Sequence, residues 1–138
     1  MNNTVLVIED NEQNLYLVRF LLEKHGFTVH EARDGRQGIR LASQLRPDLI
    51  LLDIQLPMLD GYAVAAELRQ DPALRATPII AVTSYAMVGD REKALAAGAT
   101  DYIEKPINPG TFVDQLRRHL PREPRSGEEK TPCPNKES

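Results

Sequence analysis

Short apolar runs alternate with longer amphipathic stretches along the chain. Val5-Leu6-Val7-Ile8, Leu49-Ile50-Leu51-Leu52 and Ile79-Ile80-Ala81-Val82 contain no polar residue. A strand with one wet face alternates in polarity. An unalternating run of this length belongs to a strand buried on both faces, as in a parallel sheet covered by helices. Thr28 to Ala32 alternates more and predicts an edge strand, and Asp101 to Glu104 predicts a fifth strand. Helices are predicted from Asn11 to His25, Gly35 to Leu45, Gly61 to Arg69, Met87 to Ala97, and from Asn108-Pro109 onward. Their ends carry the expected punctuation. Gly26 and Gly98 follow helices, Arg46-Pro47 and Asp71-Pro72 stop them, and Asp60 caps one.

Five strands alternating with five helices give an α/β fold, because each parallel crossover needs a helix to bring the chain back. The predicted architecture is a doubly wound five-stranded parallel sheet in the flavodoxin-like order 2-1-3-4-5, with helices on both faces. From Pro121 onward the chain holds Pro, Glu, Lys, Arg and Ser with almost nothing apolar. Residues 1–120 are thus expected to form one domain and residues 121–138 a polar, disordered tail.

Composition narrows the function. A net charge of −3 argues against a broad basic surface for nucleic acid. The single cysteine, Cys133, lies in the tail, so no disulfide framework forms within the chain. The first residues lack a basic leader, and no apolar run approaches membrane-spanning length. A cytoplasmic protein with no membrane or nucleic-acid partner is the expectation.

The candidate chemistry stands at the carboxyl ends of the strands, where open α/β sheets place their ligands. Strand one ends in Glu9-Asp10, strand three in Asp53, strand four in Thr83, and strand five leads into Lys105. In the predicted order these strands are consecutive, so all five side chains converge on one sheet edge. Three carboxylates that close repel each other, and a hard cation such as Mg²⁺ relieves the repulsion. Metal, lysine and hydroxyl together suit phosphoryl transfer, where positioning and charge neutralisation do most of the catalysis. Asp53 is the candidate nucleophile, giving an aspartyl phosphate. Other chemistries on this architecture fit less well. A haloacid-dehalogenase-type phosphatase calls for an acid two residues after its nucleophile, where this chain has Gln55. No Gly-x-Gly-x-x-Gly follows a strand, and Glu9-Asp10-Asn11-Glu12 would repel a phosphate.

Glu9-Asp10, Asp53 with Pro57 and Gly61, Thr83, and Lys105-Pro106 together resemble the receiver domain of bacterial two-component response regulators, the CheY-like family, over residues 4 to 120. The resemblance implies that Asp53 accepts a phosphoryl group from a sensor histidine kinase or a histidine phosphotransfer protein. It implies direct Mg²⁺ ligation by Asp10, Asp53 and the Gln55 backbone carbonyl, with Glu9 acting through water. It implies a cis peptide between Lys105 and Pro106. It also implies a switch, in which Thr83 moves toward the phosphoryl group and Tyr102 rotates into the vacated space. The surface that changes would be helix four, strand five and helix five, read by a downstream protein, with a homodimer as a further arrangement. Such a chain signals by contact and is not an enzyme acting on other substrates. The stretch from Thr83 to Asp90 resembles the single-domain, cell-fate class and the receivers of hybrid kinases. A receiver cut from a longer hybrid kinase or DNA-binding regulator is the alternative.

Three finer expectations follow. Tyr85 is bulky and placed to shield the phosphoryl group from water. The first helix is apolar around more than half its circumference, so some of it, notably Leu15 with Tyr16, is expected to be exposed as a docking face. Asn14, on the inner arc near the acids, is expected to hydrogen-bond loop backbone.

Overall fold

The computed structural model of the 138-residue chain describes residues 3–54, 60–83, 89–105 and 107–120. Within them the chain runs β1 (Thr4–Ile8), α1 (Glu12–Lys24), β2 (Thr28–Ala32), α2 (Gly35–Leu45), β3 (Leu49–Asp53), α3 (Gly61–Gln70), β4 (Ile79–Thr83), α4 (Asp90–Ala97), β5 (Asp101–Glu104) and α5 (Pro109–Arg117). A 3-10 turn at Pro72–Leu74, which the apolar pattern does not announce, follows α3. All pairings are parallel and the strand order is β2-β1-β3-β4-β5, as the alternation predicts.

The unalternating runs are buried on both faces. Leu49 and Leu51 join Val5, Val7 and Ile80 in a core beneath α1 and α5, sealed by Phe112 and Leu116. Ile50 and Leu52 turn the other way with Leu6, Ile8 and Ile79, against Val64 and Leu68 of α3. Each fully buried aliphatic side chain of this kind contributes about 1.5–3 kcal/mol. The more alternating β2 is the sheet edge.

Helix ends follow the local chemistry. Asn11 caps α1 through its side chain and His25 closes it, so the two predicted end residues act as caps. Asp34 and Asp60 cap α2 and α3 in the same manner. Arg46 turns the chain out of α2 in a left-handed conformation, φ 48°. The helix predicted over 87–97 is described from Asp90, since 87 and 88 lie outside the described residues.

The amphipathic reading of α1 needs one correction. Leu15 is buried at 3 % exposure, not exposed, because Leu15, Val18 and Leu22 form the i, i+3, i+7 stripe that meets the sheet. The surplus apolar surface falls on Tyr16, Leu17 and Phe20, which are 74 %, 37 % and 54 % exposed.

Arg69, near the end of α3, ties the amino-terminal edge of β4 to the turn before β5. Its guanidinium donates to the backbone oxygens of Gly98, Leu74, Arg75 and Thr77 at 2.7, 2.9, 3.2 and 2.6 Å and to Thr100 Oγ1 at 3.0 Å. Burial holds its pKa below the usual arginine range.

Candidate functional site

The strand register brings the sequence-predicted residues to one edge of the sheet. Side chains alternate along a strand, so Glu9 and Asp53 share parity with Val7 and Leu51 and fall on the α1/α5 side. The sheet ladder also runs one residue beyond the strands. Glu9 N–H donates to Ala32 O at 2.9 Å, Ile54 N–H to Val82 O at 3.1 Å, and Lys105 N–H to Thr83 O at 2.7 Å. The side chains of the site thus spring from backbone that is already fixed.

Glu9, Asp10 and Asp53 each offer a carboxylate oxygen, and these oxygens lie within 4.8 Å of one another. Glu9 and Asp53 are buried, whereas Asp10 is exposed at the mouth. Lys105 Nζ stands 2.8 Å from Glu9 Oε1 and 3.8 Å from Asp53 Oδ2, with only 10 % of its side chain exposed. Thr83 is 1 % exposed at the end of β4. A shallow pocket joins Glu9, Asp53 and Lys105 to the apolar side chains of Val18, Ile107 and Phe112.

Three carboxylates against one ammonium leave the cluster short of positive charge. Oxygen donors only, one of them at an open mouth, fit a hard divalent cation that keeps some of its waters. The donor set therefore suits Mg²⁺, with Glu9, Asp10 and Asp53 as the side chains able to hold it.

The remaining sequence expectations divide. Gln55, Pro57, Tyr85 and Pro106 lie outside the described residues, and with them the third ligand, the shield and the cis bond. Tyr102 is half-buried, and its hydroxyl is buried without a hydrogen-bond partner among the described residues. Burial, then the charges of Asp90 and Glu104, push its pKa up. Asn14 does not make the expected side-chain bond. Its backbone N–H donates to Asn11 Oδ1 at 2.9 Å, and its half-buried side chain has no hydrogen-bond partner among the described residues.

The direct pairing of Lys105 with Glu9 was not legible in the sequence, which assigned Lys105 to a phosphoryl group and Glu9 to a metal-bound water. The two residues leave strands separated by β3 and β4. Only a long side chain folding back over the sheet edge closes that gap. Lysine in that position was the available signal.

Comparison with known proteins agrees with this geometry. The family model described as "Response regulator receiver domain" matches residues 5–117. The chain is similar to the polar-differentiation response regulator DivK of Brucella anthropi, at 42 % identity over 120 residues, covering 87 % of this chain and 98 % of that protein. DivK of Brucella ovis matches at the same identity and coverage. Among solved structures, the receiver domain of the sensor histidine kinase PA1611 from Pseudomonas aeruginosa superposes with a TM-score of 0.79 at 39 % identity, covering 86 % of this chain and 97 % of that one. That structure has a magnesium ion coordinated in its active-site cleft. Chemotaxis protein CheY4 of Vibrio cholerae superposes with a TM-score of 0.83 at 29 % identity, covering 87 % of this chain and all (100 %) of that one. The sheet order, the acidic cluster with its lysine and the family match over 5–117 lead to one conclusion: the chain belongs to the response regulator receiver domain family.

Proposed function

We propose that Asp53 is the phosphoryl acceptor of this receiver and that residues 1–120 act as a single switch unit. The observation that carries the assignment is that Asp53, buried at the end of the central strand, lies within 4.8 Å of both other acids and 3.8 Å from Lys105 Nζ. One Asp53 carboxylate oxygen attacks the phosphorus of a phosphohistidine on a kinase or phosphotransfer protein. The new O–P bond forms as the P–N bond breaks, and the imidazole nitrogen leaves with the electron pair. Lys105 shifts part of its charge from Glu9 toward the incoming phosphoryl oxygens, and the Thr83 hydroxyl donates to another. When bound, Mg²⁺ would be held by Asp10, Asp53 and the Gln55 backbone carbonyl, with Glu9 acting through water, and would supply charge neutralisation at the phosphoryl oxygens.

The chain changes its own covalent state and then acts by contact, so it is a signalling module of the cytoplasm and not an enzyme working on other substrates. Among the described residues no helix is long and apolar enough to cross a membrane. Tyr16, Leu17 and Phe20 on α1 are the docking face for the phosphodonor, and Thr83 with Tyr102 relays the change to α4, β5 and α5, where a downstream protein or a second copy binds. Residues 121–138 lie outside the described residues. A receiver within a longer kinase is the second reading, favoured by the likeness to the PA1611 receiver.

The test is incubation with a small phosphodonor and Mg²⁺. Wild type should gain one acid-stable, base-labile phosphoryl group and Asp53→Asn none. Equal labelling of the two would refute the assignment.

A further inference from the structure

The arginines of this chain divide into two groups. Arg19 pairs with Glu23 and Glu31, Arg33 with Glu12, and Arg91 with Asp101. Arg69 binds backbone oxygens, and Arg117 lies over the Phe27 ring. Among the described residues, the guanidinium groups of Arg36, Arg40, Arg46, Arg75 and Arg118 reach no such partner. All but Arg118 stand on or beside α2. Arg36 and Arg40 lie one turn apart on its exposed side, Arg46 ends it, and Arg75 follows the 3-10 turn against which α2 packs. The flanking acids are turned to backbone. Asp34 accepts from the Gln37 N–H at 2.8 Å, Asp48 accepts from the Thr4 N–H at 2.8 Å, and α2 itself contains no acid.

These placements work against the helix that carries them. Arg36 is in the first turn, where the helix dipole disfavours a cation. Arg36 and Arg40 repel each other at i, i+4. Arg46 holds φ 48°, the only positive φ of a non-glycine among the described residues, where glycine is the usual choice. Side chains kept at a cost to their own element mark a surface that serves something other than the fold.

We propose that the exposed side of α2 is a docking surface for an acidic segment of a partner protein, with carboxylates one helical turn apart to face Arg36 and Arg40. Guanidinium groups take carboxylates in paired bonds that a lysine ammonium does not match. A membrane is disfavoured, because the next exposed positions of α2 are Ser43 and Gln44, and an interfacial helix needs an apolar face to bury. A nucleic acid is disfavoured by the net charge of −3, which repels a long polyanion. Helix α2 covers the face of the sheet that holds Leu6, Ile8, Ile50 and Leu52, opposite the face beneath α1 and α5. An acidic partner there leaves α1 free, so both surfaces can be occupied at once. The surface does not depend on phosphorylation of Asp53, and it is tested without it.

The metal-free full chain is titrated with a synthetic helical peptide bearing glutamates at i, i+4, and amide NMR shifts locate the contact. Shifts should centre on residues 36–46. Binding should weaken as ionic strength rises from about 0.01 to about 0.15 M and screening shortens from about 30 to about 8 Å. Arg36→Gln with Arg40→Gln should weaken it about tenfold or more. The same double variant should keep its Asp53 labelling by a small phosphodonor and a urea midpoint no lower than wild type. A peptide with glutamine in place of glutamate should not bind. Equal binding of the glutamine peptide, or shifts elsewhere that survive the double variant, would overturn the proposal. So would phosphatidylserine vesicles or duplex DNA binding α2 as tightly as the acidic peptide. A lowered urea midpoint in the double variant would make the arginines part of the fold and overturn it as well.

Discussion

Lys105 Nζ lies 2.8 Å from Glu9 Oε1, a contact across 96 residues of sequence that closes the site from its side. The pair is almost fully buried, so neither charge is satisfied by water. Lys105→Met should leave Glu9 buried without its counter-charge and destabilise the fold by about 3 kcal/mol. Urea unfolding in the absence of metal measures this, and a loss below about 1 kcal/mol would show that water replaces the ammonium.

Mg²⁺ should stabilise the native state through the three acids and leave the unfolded chain indifferent. At a hundredfold excess over its dissociation constant the gain is about 2.7 kcal/mol. A thermal melt with and without Mg²⁺ reads it directly, and both Asp10→Asn and Asp53→Asn should abolish most of the shift. A full shift in Asp10→Asn would place the ion elsewhere.

Asp101 and His119 form a pH-dependent tie between β5 and the end of α5, with His119 Nε2 2.8 Å from Asp101 Oδ2. Burial works against the Asp101 charge, but the His119 bond, the Tyr102 N–H and the charge of Arg91 outweigh it, so its pKa lies below the ordinary 3.8. A folded pKa below the unfolded one adds stability above the unfolded value, and that stability is lost as pH falls through the folded one. Asp101→Asn should therefore cost about 1 kcal/mol near neutral pH. The gap to wild type should close as pH falls below about 3.8. Urea midpoints across that range would expose a constant gap, which the linkage argument does not permit.

Glycines 61 and 89 should respond differently to alanine. A Cβ on Gly61 would stand 2.2 Å from Ile54 Cα, and backbone cannot yield as a flexible side chain does. Gly61→Ala should cost about 3 kcal/mol and disturb the chain just after Asp53. Gly89 has none of the described residues within reach of an added Cβ but has φ +90°. Its alanine variant should cost about 1 kcal/mol, all of it backbone strain. Chemical denaturation of the two variants ranks them.

The exposed α1 face gives a prediction about partners. Tyr16→Ala with Phe20→Ala should lower phosphotransfer from a phosphohistidine protein about tenfold or more, and leave labelling by a small phosphodonor unchanged. Equal losses with both donors would mean that the face serves the fold and not the partner.

The strands were legible because burial on both faces leaves an unmistakable run, as at Leu49 to Leu52. The strand-end acids were legible because the topology left them no other place to go. Besides the Lys105–Glu9 pairing, three features were not legible. Leu15 and Tyr16 are neighbours on an apolar helix, and only the seating of α1 on the sheet decides which one turns inward. Arg69 looks like any helix-end arginine until the 3-10 turn and the turn before β5 bring five oxygens to it. The contacts of Tyr62 with Asp90 and Lys93 depend on how α3 and α4 pack, which no local pattern encodes.

The ladder that continues past β1, β3 and β5 into Glu9, Ile54 and Lys105 has a thermodynamic consequence. The main chain behind these groups is ordered before anything binds, so an arriving ion or phosphoryl group gives up its own freedom and little of the protein's. Affinity at such a site is governed by desolvation and charge more than by chain entropy. Changes beneath the sheet edge that loosen this backbone should weaken ion binding even where all three acids are intact.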